Sequence, residues 1–230
     1  MEELLRTEML LGQENVQALQ GKRVIVFGIG GVGGYVCEAL ARTGVGQIDL
    51  VDNDTVSLSN INRQIIALHS TVGRPKVDVM KERIADINPQ IKVSAYNVLF
   101  TPESSGMFDF SAYDYVVDAI DMVSAKIELV LCAQRVGTPI IASMGTGNKL
   151  NPCAFKVSDI YKTSVCPLAR VMRTELKKRG VKRLKVVYSE ETPVQQAGAE
   201  GGKRVPASCA FTPSVAGLII ASEVIKDLIK

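Results

Sequence analysis

The sequence predicts an α/β fold with a mainly parallel sheet, helices on both faces, and antiparallel strands extending the sheet in the C-terminal third. Three observations carry this expectation. The apolar run at residues 24–27 leads directly into Gly28-Ile29-Gly30-Gly31-Val32-Gly33-Gly34, which opens a helical pattern (Val36, Ala39, Leu40). Strand-like runs then alternate with helix-period stretches as far as Ser143, the arrangement that builds parallel sheets with right-handed crossovers. After Ser143 the pattern changes, and residues 155–160 alternate like a strand with one exposed face.

Taken in order, residues 1–20 read as an amphipathic helix interrupted at Gly12, with Leu4, Leu5, Met9 and Leu11 on its apolar side. The first strand and glycine turn follow, and the helix behind them ends near Gly44. A second strand, residues 48–51, ends on Asp52. The unit of strand, glycine turn, helix, strand and acid is Rossmann-like: glycines let the backbone approach phosphates, and the helix N-terminus faces them with free N–H groups. A short helix is expected over residues 58–68, carrying Arg63. Gly73-Arg74-Pro75-Lys76 opens a longer one with Val77, Met80, Ile84 and Ile87 on one face, stopped by Asn88-Pro89. Strands are expected at 91–96 and 113–119, joined by a polar connection over 102–111. A helix at 124–135 and a strand at 139–142 complete the alternation. Further on, the readings are a helix at 168–179, a strand at 184–188, a mobile loop at 190–206 and a closing apolar helix at 215–229. With no linker or repeat visible, residues 1–230 read as one domain.

Composition narrows the chemistry. Hydrophobic content of 47% and charged content of 22% are ordinary for a soluble globular protein. A single histidine, His69, argues against a histidine metal site or a Ser-His-Asp triad, and it reads as a loop residue. The five cysteines (Cys37, Cys132, Cys153, Cys166, Cys209) form no Cys-x-x-Cys pair, so a four-cysteine zinc site is not supported. No secretory signal is visible, and the apolar run at 215–222 is too short to span a bilayer. Free cysteines without a signal point to a reducing cytoplasm.

The stretch after Asp52 separates this chain from a dinucleotide dehydrogenase. It reads Asp52-Asn53-Asp54-Thr55-Val56-Ser57-Leu58-Ser59-Asn60-Ile61-Asn62-Arg63-Gln64. So dense a polar block suits a triphosphate and a metal, with Asn60 and Arg63 as donors to phosphate oxygens. Lys76 falls in the first turn of its helix, against the dipole, which is easier to explain if an anion shares the site. Asp118 and Asp121 close a strand at the crevice edge of such a sheet, although capping the next helix is the plainer use of one of them. Here the chain resembles the E1-like activating enzymes, the superfamily of ThiF, MoeB and ubiquitin-activating enzymes. Their signature is a glycine-rich turn, an Asp, Ser-Asn-x-x-Arg-Gln and a downstream Lys.

The resemblance implies adenylation of a carboxylate, with ATP and Mg2+ as cofactors. Gly28, Gly30, Gly31 and Gly33 would hold phosphates and Asp52 the ribose. Asp54, Asn60, Arg63, Gln64 and Lys76 would complete the nucleotide site, with Asn60, Arg63 and Lys76 stabilising charge at phosphorus. Asp121 would bind Mg2+, with Asp118 as second choice. It also implies a homodimer in which Arg6 reaches the partner subunit's nucleotide. Three stretches, Arg6 to Gly12, Ala39 to Gly46 and Asp159 to Thr163, resemble one branch, the tRNA threonylcarbamoyladenosine dehydratases. That branch activates the threonine carboxylate of the modified adenosine (t6A) at tRNA position 37, and a neighbouring carbamoyl group closes the ring and expels AMP. No catalytic cysteine is required. The basic cluster Arg170, Arg173, Lys177, Lys178, Arg179, Lys182 and Arg183 would face the tRNA. The resemblance leaves room for a sulfur-transfer partner protein. Two alternatives stay open: an adenylyltransferase acting on the C-terminus of a ubiquitin-like sulfur carrier, and a non-catalytic ATP-binding adaptor.

Overall fold

The computed structural model describes residues 2–194 and 206–230. Seven strands, β1 (Arg23–Phe27), β2 (Gln47–Val51), β3 (Lys92–Tyr96), β4 (Tyr115–Asp118), β5 (Ile140–Ser143), β6 (Phe155–Asp159) and β7 (Lys185–Ser189), share one sheet. Their order is β3-β2-β1-β4-β5-β7-β6. Every pairing is parallel except β6 with β7. The antiparallel extension is therefore smaller than expected: β7 runs parallel to β5, and only the edge strand β6 reverses. The helices are α1 (Leu5–Leu11), α2 (Gln13–Gln20), α3 (Gly33–Thr43), α4 (Lys76–Ile87), α5 (Val123–Val136), α6 (Pro167–Lys178) and α7 (Phe211–Leu228).

Alternation along β1 shows why both sheet faces are covered. Val24 and Val26 pack into a cluster with Leu40 and Val36 of α3, Met80 of α4 and Ile220 of α7. Ile25 and Phe27 face the other way, toward Ala125 and Leu129 of α5. A third cluster seats α6 (Ala169, Met172, Leu176) on β5 and β7 through Ala142 and Val186. Strands buried on both faces read as continuous apolar runs, as these do. The chain winds outward from β1 in one direction through β2 and β3, then returns to β4 on its other side. That reversal opens a crevice beyond the C-terminal ends of β1 and β4, the usual ligand position in such sheets.

Three local expectations change. Gly12 (φ +89°) does interrupt the N-terminal helix, but of Leu4, Leu5, Met9 and Leu11 only Leu4 is buried, while Leu5 and Met9 are exposed. The predicted short helix at 58–68 is a single 3-10 turn, Leu58–Asn60, followed by hydrogen-bonded turns. Asn60 Oδ1 accepts the Ser57 N–H (3.1 Å), and Thr71 Oγ1 accepts that of Leu68 (2.9 Å). Side chains that satisfy nearby backbone in this way compete with helix. The polar connection at 102–111 also buries Phe108 and Phe110 against Phe27, at ring-centroid distances of 5.4 and 6.0 Å. Residues 195–205 of the predicted mobile loop lie outside the described residues. No described helix is long and apolar enough to cross a membrane.

Candidate active site

Gly28 leaves β1 with φ +87°, and a Cβ there would sit 2.7 Å from the carbonyl oxygen of Ala119, beyond β4. Only glycine permits both the conformation and the approach. A Cβ on Gly33 would overlap the Gly28 carbonyl, so the first turn of α3 closes tightly onto the loop. Gly30, Gly31 and Val32 donate no backbone hydrogen bond among the described residues. Their N–H groups lie just before the α3 N-terminus, a ready-made cradle for an anion.

Asp52, just past β2, closes the far side. Its Oδ2 accepts the Ile29 N–H at 2.6 Å and its Oδ1 the Asp54 N–H at 2.8 Å, tying glycine turn to polar block. Burial pushes its carboxyl above the ordinary value, against the pull of the Lys76 ammonium and these two N–H groups. Each carboxylate oxygen can accept a second bond, which leaves capacity for hydroxyls. Lys76 is the first residue of α4 and is buried, with Nζ 2.7 Å from Asp54 Oδ2. The isolated Thr55–Pro75 bridge brings α4 back beside the block.

The signature residues converge on the glycines. A Cβ on Gly30 would meet Gln64 Nε2 at 3.8 Å, and one on Gly31 would meet Arg63 Cγ at 3.5 Å. Gln64 is buried, and its Oε1 has no hydrogen-bond partner among the described residues, the kind of orphan that a ligand or ordered water satisfies. Arg63 lies in a turn rather than a helix, and its guanidinium bonds Ser59 O (3.1 Å) and Asn62 Oδ1 (3.0 Å). Asn60 is buried, and its side-chain oxygen shapes the turn through Ser57 rather than pointing freely outward. The glycine cradle, the orphaned amide and the two cations fit a triphosphate.

The two crevice acids divide. Asp121 is exposed, whereas Asp118 is fully buried, with Lys126 Nζ 2.9 Å from its Oδ2. Asp118 therefore offers no open face to a metal, and the second-choice ligand is corrected to an internal ion pair. Neither acid caps α5, whose N-cap is Met122. Among the described residues no three His, Cys, Asp or Glu side chains gather around a cage. Mg2+ needs only one or two carboxylates beside substrate phosphates, so a lone exposed Asp121 fits that ion.

The basic cluster also divides. Arg173 is half-buried and donates to Thr163 O (2.9 Å) and to its hydroxyl, while Lys178 and Arg179 both pair with Glu175 (2.7 Å each). Arg170, Lys177, Lys182 and Arg183 are exposed and pair with no acid among the described residues. Arg6 is exposed on α1. Nearby Leu4 packs on Gly44, so Arg6 lies toward the end of α3 remote from the glycine turn. Sequence reasoning missed Lys126, and it missed Pro213, whose Cβ lies 3.2 Å from where a Gly31 Cβ would stand. Lys126 had one signal: a lysine within the otherwise apolar face of a helix.

The ThiF family profile matches residues 4–230. The chain is 44% identical to the tRNA threonylcarbamoyladenosine dehydratase of Bacillus subtilis (strain 168), covering 98% of this chain and 94% of the relative. It is 37% identical to the protein of that name from Escherichia coli (strain K12), covering 89% and 83%. It superposes with TM-score 0.91 on the crystal structure of the E. coli dehydratase, TcdA, in complex with ATP. That match has 33% identity and covers 99% of this chain and 94% of the other.

Proposed function

The chain belongs to the ThiF family, and from that membership we infer that it is an ATP-dependent tRNA threonylcarbamoyladenosine dehydratase. The observation that carries the reading is the 44% identity, running almost end to end, to a dehydratase of that name. The glycine cradle supports it from the geometry. ATP is the co-substrate, and its phosphates lie along the N–H groups of Gly30 to Val32 at the α3 N-terminus. Asp52 takes the ribose hydroxyls, and Gln64 and Asp54 border the nucleotide. The threonine carboxylate of t6A attacks the α-phosphate, giving an acyl-adenylate and pyrophosphate. Asn60, Arg63 and Lys76 stabilise the charge that builds at phosphorus, as preorganised donors do. The carbamoyl oxygen or nitrogen then attacks the activated carbonyl, closes the ring and expels AMP. The net change in the base is loss of one water. Because the nucleophile belongs to the same molecule, proximity supplies much of the rate, and no enzyme thioester is needed.

Mg2+, held by Asp121 and the phosphates, would neutralise charge on the triphosphate. Arg170, Lys177, Lys182 and Arg183, which pair with no acid among the described residues, supply a phosphate-binding face for the tRNA, and Arg173, Lys178 and Arg179 support it from their own pairs. A twofold dimer is favoured by two features of α1. Its Leu5, Met9 and Leu10 are 54%, 81% and 83% exposed, and its exposed Arg6 follows Leu4, which packs on Gly44 at the end of α3 remote from the glycine turn. Arg6 then serves the partner subunit's phosphates. All seven strands belong to one sheet, which favours a single domain over residues 1–230. The protein works on cytoplasmic tRNA, with or without a sulfur-transfer partner.

The deciding experiment incubates the protein with ATP and t6A-bearing tRNA and follows the modified base by mass spectrometry. Loss of one water, with AMP formed in step, is the expected result. An intact base, together with pyrophosphate exchange driven by a small ubiquitin-like protein, would establish the sulfur-carrier adenylyltransferase instead.

A further inference from the structure

Two charged side chains at the centre of the molecule have no direct part in the chemistry above. Asp118, the last residue of β4, and Lys126, in the first turns of α5, are both 0% exposed. Burying two charges is costly, and a well-packed apolar pair of similar volume often serves stability as well or better. Packing alone therefore does not account for them, and their partners do. Lys126 Nζ lies 2.8 Å from Ser143 O at the end of β5, 3.1 Å from Ile120 O and 2.9 Å from Asp118 Oδ2. Of its three N–H donors, Lys126 gives hydrogen bonds to the two carbonyls, while Asp118 Oδ2, which has no hydrogen-bond partner among the described residues, faces the ammonium as an ion pair. Asp118 Oδ1 in turn accepts the Ile120 N–H at 3.2 Å. Ile120 is thus held at both ends of its backbone, its N–H by one member of the pair and its C=O by the other. The residue before it, Ala119, presents the carbonyl on which Gly28 rests. The residue after it is Asp121.

We propose that Asp118 and Lys126 are positioning residues that fix the backbone at Ile120 and so aim the Asp121 carboxylate at a nucleotide-bound divalent cation. The inference rests on Asp121 being the metal ligand. It is independent of which carboxylate the enzyme activates, because its test reads nucleotide binding rather than turnover.

The experiment is a calorimetric titration of ATP into the full-length protein, with Mg2+ and again in EDTA. The wild type and the variants Asp118→Asn, Lys126→Met and the double variant are compared. Asparagine keeps an acceptor for the Ile120 N–H, and the double variant removes both buried charges together. Each variant is checked by circular dichroism and thermal melting. The expected result is a loss of about tenfold or more in the Mg2+-dependent gain of ATP affinity, the usual effect of removing a partner behind a metal ligand. Affinity in EDTA should stay within about twofold, near the error of treating distant sites as independent. The double variant should recover melting temperature relative to the worse single variant without recovering the Mg2+-dependent gain. Folded variants that keep the wild-type gain would overturn the proposal. So would equal losses with and without Mg2+, which would make the pair merely structural, or failure of all three variants to fold. A wild-type protein whose ATP affinity ignores Mg2+ would overturn the metal role of Asp121 and this inference together, leaving the dehydratase reading to its own assay.

Discussion

Gly28→Ala and Gly30→Ala test the glycine turn as a contrasting pair. At Gly28 the new Cβ would lie 2.7 Å from Ala119 O, 2.9 Å from Ala119 C and 3.1 Å from Ile120 N, at φ +87°. Carbon and oxygen normally stay about 3.3 Å apart, so turn and loop must separate by roughly 0.6 Å. A left-handed conformation costs a side chain about 1–2 kcal/mol, and overpacking adds about 1–3 kcal/mol. Taking about 3 kcal/mol in total, a chain of this size should melt roughly 6–12 °C lower. A misplacement of about 1 Å can cost about 10²-fold, so ATP should bind about tenfold or more weakly. At Gly30 a Cβ meets only Gln64 Nε2, at 3.8 Å, an ordinary contact. Gly30→Ala should therefore melt within about 2 °C of wild type, the usual range for a change that disturbs no packing. It should still weaken ATP, because the methyl group stands where phosphates approach. Differential scanning calorimetry and ATP titration read both quantities. Undiminished ATP affinity in Gly30→Ala would refute the placement of the phosphates, and an unchanged melt in Gly28→Ala would refute the steric argument.

The remaining predictions concern chemistry, assembly and pH. Arg63→Ala and Lys76→Ala should each slow turnover about 10²-fold with smaller losses of ATP affinity, as expected for transition-state donors; equal losses in both would make them ground-state binders. Cys166→Ser and Cys209→Ser should keep AMP release and ring closure, and abolition of activity in a folded variant would restore a covalent thioester as the leading mechanism. Mixing Arg6→Ala with Asp52→Ala subunits should restore roughly a quarter of wild-type activity, since about half the dimers are mixed and each has one intact site. No recovery after demonstrated subunit exchange would place Arg6 within its own subunit. At the opposite end of the sheet, burial works to raise the Asp227 carboxyl, but Lys185, Lys230 and Tyr115 outweigh it and hold it at about 2. A depressed carboxyl stabilises the fold above its unfolded value and loses that contribution as pH falls from about 4 through about 2. Discounted for partial exposure, the contribution is about 1 kcal/mol. Asp227→Asn should therefore lower stability at neutral pH and flatten its acid dependence in chemical denaturation.

Much of this protein was legible along the chain because its signals are local. The strand, glycine turn and helix around Gly28 to Gly34 are set by φ angles and apolar periodicity within a dozen residues. The acid after the second strand and the Ser59 to Gln64 signature identify nucleotide chemistry by residue type and spacing. Lys76 was conspicuous because it opposes the dipole of its own helix. Other features were not legible because they depend on which segments meet. Asp118 and Asp121 stand three residues apart on the same strand end, and nothing local tells them apart. Lys126, brought in by α5, neutralises the first within the interior and leaves the second exposed. The basic stretch of 170–183 reads as seven similar cations, yet Thr163 and Glu175 engage three of them. The direction of β7 was hidden for the same reason, since a strand's pattern records which faces are buried but not which neighbour it joins. Periodicity and turn chemistry determine elements and motifs, whereas burial, charge pairing and strand direction are properties of contacts between distant segments, and only the tertiary structure decides them.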